Sequence, residues 1–515
     1  MKNHFSKVYA AELLGIEARL IEVETDVNVG LHNFTIVGLA DKALNEAKER
    51  VNSALKNIDV KPPARENRKI VINLAPADIK KTGSHYDLPI AIGYLLATEQ
   101  IKDFNTKDKV FVGELSLDGK LRPINGVINM ARMAKKEGFS SIIIPKSNAR
   151  EAAIVDGIDI IPVEDLAELL GYLEERIKIE PQPKTLLNEE ATHKIDISEI
   201  KGQPSAKRAL TVAAAGGHNI LMIGSPGAGK TMLAEALTSI LPPMEMEEII
   251  EATQIYSAAG MMNEKSIINL RPFRAPHHTA SPISVIGGGQ NPRPGEVSLA
   301  HRGVLFLDEL PEFRRDLLET LRQPMESGRV LISRARGNLV FPARFMLVAA
   351  MNPCPCGFYR DPEKDCVCSA HEVARYQKKI SGPLLDRIDI QIDVPRIKLD
   401  ELRDKKIASV EESANVRNKI IGARSMQAQR FKKLTGKHRI LNNSEMSSKQ
   451  CDELINLSSA GEKFVENYLS KANISARGYY RILKAARTAA DLELSEQVTE
   501  NHLAEVFGYR LREEK

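Results

Sequence analysis

The sequence predicts an α/β protein of about three domains, in which a nucleotide-binding α/β core lies between a smaller α/β domain and a C-terminal helical segment. Three observations carry this. A glycine-rich turn sits between an apolar strand and a helix at 219–241, short apolar runs alternate with helical patterns through the first 395 residues, and from 396 onward the pattern is almost purely helical. The length, 515 residues, sets the domain count at roughly 100 to 200 residues each.

Composition bounds the function classes. With 43% hydrophobic and 27% charged residues, 32 Gly and 26 Pro, the chain is neither collagen-like nor disordered. Lys and Arg number 72 against 68 Asp and Glu, a formal +4, so any basic surface must be local. Fourteen Phe, eleven Tyr and no Trp make base recognition by many exposed rings a poor reading, while phosphate contacts through Lys and Arg remain open. Glu12, Glu17, Glu22 and Glu24 interrupt the first 25 residues, so no signal peptide is expected there. No stretch approaches the roughly 20 apolar residues of a membrane span, and the expectation is a cytoplasmic protein without a membrane partner.

The first domain, 1–175, reads as strands at 34–37, 70–74, 110–112 and 141–144 with helices near 42–55 and 131–137. A charged, proline-containing stretch at 176–195 reads as a linker. The core, 196–395, has strands at 219–223, 303–307, 345–350 and 388–394 and helices at 231–241 and 314–326. A cysteine-rich insertion occupies 353–371, and helices, including 479–492 and 500–511, fill 396–515.

Gly224, Ser225, Pro226, Gly227, Ala228, Gly229, Lys230 and Thr231 match the phosphate-binding loop in full, in the strand-to-helix context that loop requires. Glycines let backbone N–H groups turn onto the phosphates of ATP, Lys230 reaches the β and γ oxygens, and Thr231 ligates Mg²⁺. About 80 residues on, the apolar run 304–307 ends in Asp308 and Glu309. Asp308 at a strand's carboxyl end can hold the Mg²⁺ shell, and Glu309 can polarise the attacking water.

Four of the five cysteines, Cys354, Cys356, Cys366 and Cys368, fall within fifteen residues, which reads as a structural zinc site in a reducing compartment. The one-residue gap within each pair is shorter than usual, and His371 is an alternative ligand. Four free thiols in a surface insertion are the competing reading.

The run 294–303 leading into the acidic strand, then Ala349-Ala350-Met351-Asn352-Pro353, then Gly382-Pro383-Leu384-Leu385-Asp386-Arg387-Ile388-Asp389, resembles the magnesium-chelatase-like branch of AAA+ ATPases. Within that branch the chain is similar to the YifB/ComM family of competence-related proteins, nearly end to end. The resemblance implies an AAA+ P-loop ATPase core with a helical lid, and a homo-oligomer, a hexamer in the family. Asn352 is then the sensor that orients water, Arg387 the arginine finger given to a neighbouring subunit, and Arg477 the second sensor. Ile200, Gly202 and Gln203 match the segment that meets the adenine. An arginine finger brings a permanent planar charge to the transferring phosphoryl group, worth about 10³ to 10⁵ in rate.

By the same resemblance, 329–342 is the presensor hairpin, with Arg334 and Arg336 at its tip, and 281–289 is a second pore insertion, preceded by Arg271, Arg274, His277 and His278. These arginines are the candidate DNA contacts, with a solvated turn as the plainer alternative. Residues 396–440 carry thirteen Lys or Arg against five Asp or Glu, which suits a solvated face as well as a DNA contact.

Residues 81–89 and 113–126 resemble the α/β domain of the Lon protease. A serine and lysine protease needs a nucleophile beside a lysine of lowered pKa, yet His85 stands where the serine would be and Ile128 where the lysine would be, with Ser84 offset by one. The expectation is a proteolytically inactive domain. Three activities follow for comparison: an ATP-driven DNA helicase promoting branch migration in recombination or natural transformation, as the resemblance implies; a remodelling ATPase with a protein or chelatase-type partner; and an ATP-dependent protease, the weakest.

Overall fold

The computed structural model describes residues 4–510 apart from 40, 66, 186–194, 263–266, 290–291, 335–336, 398–409, 433, 435–439 and 470–474. The N-terminal domain is built on a mixed seven-stranded sheet in the order Asn33–Val37, Arg68–Ala75, Glu17–Val29, Phe5–Leu14, Lys109–Phe111, Ser141–Pro145 and Asp159–Val163. The strands expected at 34–37, 70–74, 110–112 and 141–144 are all present. The two longest, Phe5–Leu14 and Glu17–Val29, went unread because glutamates break their apolar alternation. They pair antiparallel across the tight turn at Gly15, and Glu12 is buried within that pair.

The helix expected at 42–55 is two pieces, Lys42–Asn45 and Ala47–Asn57, and the one near 131–137 begins earlier, as Val127–Lys136. Helix Asp87–Ala97, almost wholly buried and apolar on every side, lies under the two long strands. Such a helix has no amphipathic period to detect. The first half of the expected linker is docked on this domain, with Gln182 donating its backbone N–H to the Ile160 carbonyl and Thr185 its hydroxyl to the Arg150 carbonyl.

The core is a five-stranded parallel sheet ordered Phe273–Arg274, Val304–Leu307, Met346–Met351, Ile220–Ile223 and Ile390–Asp393. Its three central strands are short apolar runs buried on both faces as parallel strands are, and the edge strands Phe273–Arg274 and Ile390–Asp393 are partly exposed. The strand before the phosphate loop is flanked by two that come later in the chain, which opens a crevice at their carboxyl ends. The helix expected at 314–326 is two short helices, Arg315–Thr320 and Arg322–Ser327.

The described residues of the C-terminal part are mainly helical: Val410–Phe431, Ser448–Leu454, Ser459–Leu469, Ala476–Leu492 and Glu500–Gly508. It packs against helices Pro204–Gly216 and Lys230–Ile240 of the core. Several lid cations point inward. Arg417 donates to the Ser239 carbonyl, Arg424 to the Ala214 carbonyl and Arg430 to the buried Asp491, which Arg487 also pairs. Arg417 and Arg424 fasten the lid to the core and Arg430 ties two lid helices together, so part of the positive charge of 396–440 is structural.

The N-terminal domain joins the core along helix Val127–Lys136, which lies on helix Met246–Ala259. One apolar cluster crosses the junction and includes Ile128, Met130, Ile249 and Ala252. Gly126 and Asn129 donate to Ser257 and to the Ile16 carbonyl, and Ser257 donates to the buried Glu151. No helix among the described residues is long and apolar enough to cross a membrane.

Candidate active site

The predicted nucleotide residues converge at the carboxyl end of the core sheet. Gly227 and Gly229 have φ of +80° and +85°, and a Cβ at either would meet nothing within 4 Å, so the loop is left-handed and faces open space. Gly224 is required for another reason: a Cβ there would lie 2.2 Å from the Val394 carbonyl oxygen. Lys230 begins the following helix, and its Nζ donates to the Gly224 carbonyl at 2.6 Å, the Ser225 carbonyl at 3.1 Å and Asn352 Oδ1 at 3.1 Å. Burial pushes this ammonium below its usual range, while Asp308 and Glu309 pull the other way.

Thr231 Oγ1 donates to Asp308 Oδ2 at 2.8 Å, which places a hydroxyl and a carboxylate together as a divalent cation requires. Glu309 follows in the left-handed conformation, φ +50°, at the turn out of the strand. Its backbone N–H is held by Asp308 Oδ1 at 2.9 Å, and its carboxylate is 3.5 Å from His278 Nδ1. A strained non-glycine residue at this point directs the acid toward the crevice mouth.

Ile200 is buried in the core cluster. Gln203, also buried, donates to the Ala228 carbonyl at 2.7 Å and the Pro395 carbonyl at 3.0 Å, tying the phosphate loop to the end of the last strand. Its Oε1 has no partner, and such a buried acceptor suits an amino group such as that of adenine.

Arg387 and Arg477 lie elsewhere. Arg387, 5% exposed, donates to the Pro383 carbonyl and to Glu326, and Arg477 Nη2 is 3.4 Å from the same Glu326. Arg387 lines a cavity of about 480 Å³ with Arg271, Arg424, Arg481, Lys484 and Glu326. Burial holds the Arg424 guanidinium down at about 10. Residues that begin the strands, Asn219, Gly303 and Met346, border this cavity, so the two arginines sit at the opposite end of the sheet from the phosphate loop. The chain does not bring its own Arg387 to its own Lys230.

Among the candidate DNA contacts, Arg271 is fully engaged by Glu248 and the Pro242 and Arg302 carbonyls. Arg274 forms a two-pronged pair with Glu296 at 2.5 and 2.7 Å. Phosphate contact from either would have to break a paired carboxylate. The hairpin expected at 329–342 is present as Arg329–Arg334 paired with Gly337–Pro342, and Arg336 at its tip lies outside the described residues. The second insertion is a short helix, Pro282–Ile286, leading into Gly287–Gly288 paired with Arg293–Pro294.

The four cysteines cluster with all their Sγ atoms within 4.8 Å of one another, the closest pairs at 3.4, 3.5 and 3.7 Å. A zinc ion with Zn–S bonds of ~2.3 Å spaces tetrahedral thiolates ~3.8 Å apart, so the set fits that ion. Backbone N–H groups of Phe358 and Val367 hold the Cys356 thiol down at about 6, while burial and the neighbouring thiols push Cys366 up to about 12 and Cys368 up as well. Without a cation the set therefore favours one thiolate, and a bound metal would supply the charge that deprotonates the others. His371 is outside the cluster, and Cys451 is buried in the lid, its thiol pushed up to about 11 by burial.

At the Lon-like site, Ser84 gives its hydroxyl to Glu114, and Lys81 gives its ammonium to the Pro76 carbonyl. His85 Nε2 is 2.9 Å from the Ala11 carbonyl, and burial pushes its imidazole down to about 4. Ile128 is fully buried. Among the described residues no lysine reaches Ser84.

Sequence reading missed His278 as the neighbour of Glu309, Glu326 as the shared partner of two arginines, and Asp361, which accepts the Ser225 hydroxyl of the phosphate loop. Each depends on contacts between distant segments, and only the adjacency of His278 to the predicted insertion offered any signal.

Comparison with known proteins matches this geometry. Residues 196–402 match the family described as magnesium chelatase, subunit ChlI; 23–148 match subunit ChlI of Mg-chelatase; and 410–510 match the C-terminal part of subunit ChlI. The chain is 43% identical over 509 residues to the competence protein ComM of Haemophilus influenzae, covering 98% of this chain and 97% of that one. It is 40% identical over 506 residues to the uncharacterized protein YifB of Escherichia coli, covering 98% and 97%. A shorter match, 34% over 127 residues, covers 24% of this chain and 22% of Lon protease 2 of Bacillus subtilis. A complete phosphate loop facing Asp308 and Glu309, on a five-stranded parallel sheet carrying a helical lid, together with identity along nearly the whole length, places this chain in the YifB/ComM family of magnesium-chelatase-like AAA+ ATPases.

Proposed function

We propose that this protein is an ATP-driven DNA motor of the cytoplasm, a homo-oligomeric ring helicase, six-membered as the family resemblance implies, that promotes branch migration in recombination or natural transformation. The observation that carries the reading is the separation of Lys230 and Arg387 to opposite ends of the sheet. One chain holds the phosphate-binding and water-activating groups and keeps Arg387 at the far end, paired with Glu326, so in this reading a complete site needs a second chain whose Arg387 exchanges Glu326 for the γ-phosphate.

In this reading Lys230 exchanges the Gly224 and Ser225 carbonyls for the β and γ oxygens of ATP. Glu309 accepts the proton of the attacking water, which Asn352 helps to orient, and the neighbouring subunit's Arg387 meets the charge developing on the γ-phosphate. Arg477, on the same end of the sheet, acts from the same side as Arg387. Thr231 and Asp308 would hold Mg²⁺, which when bound neutralises phosphate charge. Ile200 and the free Oε1 of Gln203 receive the adenine. Cys354, Cys356, Cys366 and Cys368 hold a structural zinc, four thiolates leaving no position for a substrate. Arg334 and Arg336 on the presensor hairpin supply phosphate contacts to the strand in the pore.

A remodelling ATPase with a protein partner is the second reading. One observation favours it: Arg271 and Arg274 are both engaged by carboxylates. The assay that separates the two is migration of a labelled branched DNA with ATP and Mg²⁺, comparing the intact protein with Lys230→Ala and Arg336→Ala. The motor reading expects migration by the intact protein, loss with Lys230→Ala, and loss of migration with ATPase retained for Arg336→Ala. ATPase activity that branched and forked DNA neither stimulates nor couples to unwinding would sink it and leave the remodelling reading. Mixing Lys230→Ala with Arg387→Ala subunits should restore hydrolysis, because mixed interfaces regain one complete site. No restoration would remove Arg387 from its role in the neighbour's site.

A further inference from the structure

The turn next to the cysteine cluster is in direct contact with the phosphate loop. The insertion leaves the sheet straight after Asn352, which accepts from Lys230, and Cys354 follows two residues later. The turn that hangs on the first cysteine pair then lies on the phosphate loop. Gly357, φ +86°, packs so closely that a Cβ there would be 2.5 Å from Pro226 Cδ. The Asp361 carboxylate, 1% exposed, accepts the Ser225 hydroxyl. Arg396, at the end of the last core strand, completes the contact. It donates to the Pro226 carbonyl at 3.1 Å, its Nε is 3.7 Å from Asp361, and its guanidinium covers the Phe358 ring at 5.2 Å.

The insertion has little else to give it shape. Across 353–371 Cys354 and Gly357 are the only residues buried as a whole, no large apolar side chain is buried, and Val367 is 85% exposed. Its internal order comes from short-range bonds around Cys354: Gly357 N–H to the Cys354 carbonyl, Tyr359 N–H to Cys354 Sγ, and Asp361 N–H to the Phe358 carbonyl. A loop without an apolar core keeps its shape only through a cross-link, and metal binding then is its folding energy.

We infer that the metal held by Cys354, Cys356, Cys366 and Cys368 positions the phosphate loop through the 357–361 turn, so that ATP affinity depends on metal occupancy. The inference rests on the proposed ATP and zinc sites. Asp361 is a positioning residue: it acts on nucleotide through Ser225 and has no phosphate to bind itself.

The test measures zinc per chain by elemental analysis and binding of a fluorescent ATP analogue on the same samples of the full-length protein. The intact protein should carry about one zinc per chain. Asp361→Ala, which also frees the Glu363 and Lys364 N–H groups this carboxylate accepts from, should keep its zinc and bind the analogue at least about tenfold more weakly, the cost of losing the bond to Ser225. Cys366→Ser should lose zinc and weaken binding at least as much, and stripping zinc from the intact protein with a chelator should do the same reversibly. Unchanged affinity in Asp361→Ala, or in the stripped protein, overturns the brace. If Cys366→Ser does not fold, Asp361→Ala and the stripped protein still decide. Zinc absent from the intact protein removes the metal assignment and with it metal control, while Asp361→Ala then reports on the turn alone. An intact protein that binds no analogue, with or without zinc, overturns the ATP reading instead.

Discussion

At the carboxyl end of its sheet the ATPase core gathers Lys230, Thr231, Asp308 and Asn352 by direct hydrogen bonds, with Glu309 beside them at the mouth of the crevice. At the corresponding turn of the N-terminal domain, Ser84 is spent on Glu114, and Ile128 lies in the apolar cluster that joins the two domains. Both regions are well-packed α/β layers. The difference lies in where polar groups point. In the core, Lys230 satisfies itself with loop carbonyls that a phosphate can replace, and the loop glycines leave open space above. In the N-terminal domain the buried polar side chains are turned on one another: Glu12 accepts from Tyr86 at 2.6 Å and from Thr82 at 2.8 Å. Packing is set by many apolar residues, whereas a reactive site depends on a few groups kept free.

The largest way to sharpen this contrast is in turnover. Glu309→Gln should bind ATP with affinity close to that of the intact protein, while phosphate release falls about 10²- to 10⁴-fold, the span of general-base contributions. Phosphate release at the unaltered rate would take Glu309 out of the mechanism.

Ile128→Lys comes next, because it places a lysine where a Lon-type lysine would stand. The site is fully buried against Ile249 and Ala252, so an unpaired ammonium there should cost ~3 kcal/mol or more and lower the melting temperature by several degrees. No peptidase activity should appear on a casein substrate. Casein cleavage by this variant would show that the domain lacks only its lysine, and the contrast between the two regions would fail.

Acidity distinguishes the two regions by sign. Burial pushes the Glu12 carboxyl up to about 7, so the fold prefers it protonated. Its contribution is fully present below about 4.5 and is lost as pH rises through 7, on the order of 3 kcal/mol at most. Glu251 of the core behaves oppositely. Burial raises it, but His301 and Arg302 more than offset that and hold it at about 2. Its contribution is present above about 4.5 and is lost as pH falls toward 2. His85 in the same domain, held down at about 4 by burial, contributes the opposite slope below pH 6.5, so the readout is the difference. Chemical denaturation between pH 5 and 8 should show Glu12→Gln losing less stability with rising pH than the intact protein. A slope unchanged in Glu12→Gln would assign it to another group.

The sequence was most legible where chemistry and local order coincide. The phosphate loop, the strand ending in Asp308 and the four clustered cysteines each lie on one short segment, and the structure brings the side chains of each together. Less legible was whatever needs two distant segments. The buried Glu12 disguised a ten-residue strand, the wholly apolar helix Asp87–Ala97 has no period, and the partners of Arg271, Arg274 and Arg387 come from segments that residue type does not identify. An arginine reads as a free cation until the carboxylate opposite it is known.

The smallest expected effect belongs to Ser84→Ala. The serine hydroxyl donates to Glu114, whose carboxylate also sits 3.3 Å from Arg122, so the acid keeps a partner when the hydroxyl is removed. A partly buried bond of this kind is worth about 1 kcal/mol, and less where its acceptor stays paired. Stability should therefore change by no more than that, and ATP turnover, DNA-stimulated turnover and casein cleavage should all match the intact protein. Loss of a measurable peptidase activity in Ser84→Ala would mean that a catalytic group survives in the N-terminal domain without its lysine, and that its buried polar pairs hold a working site in reserve.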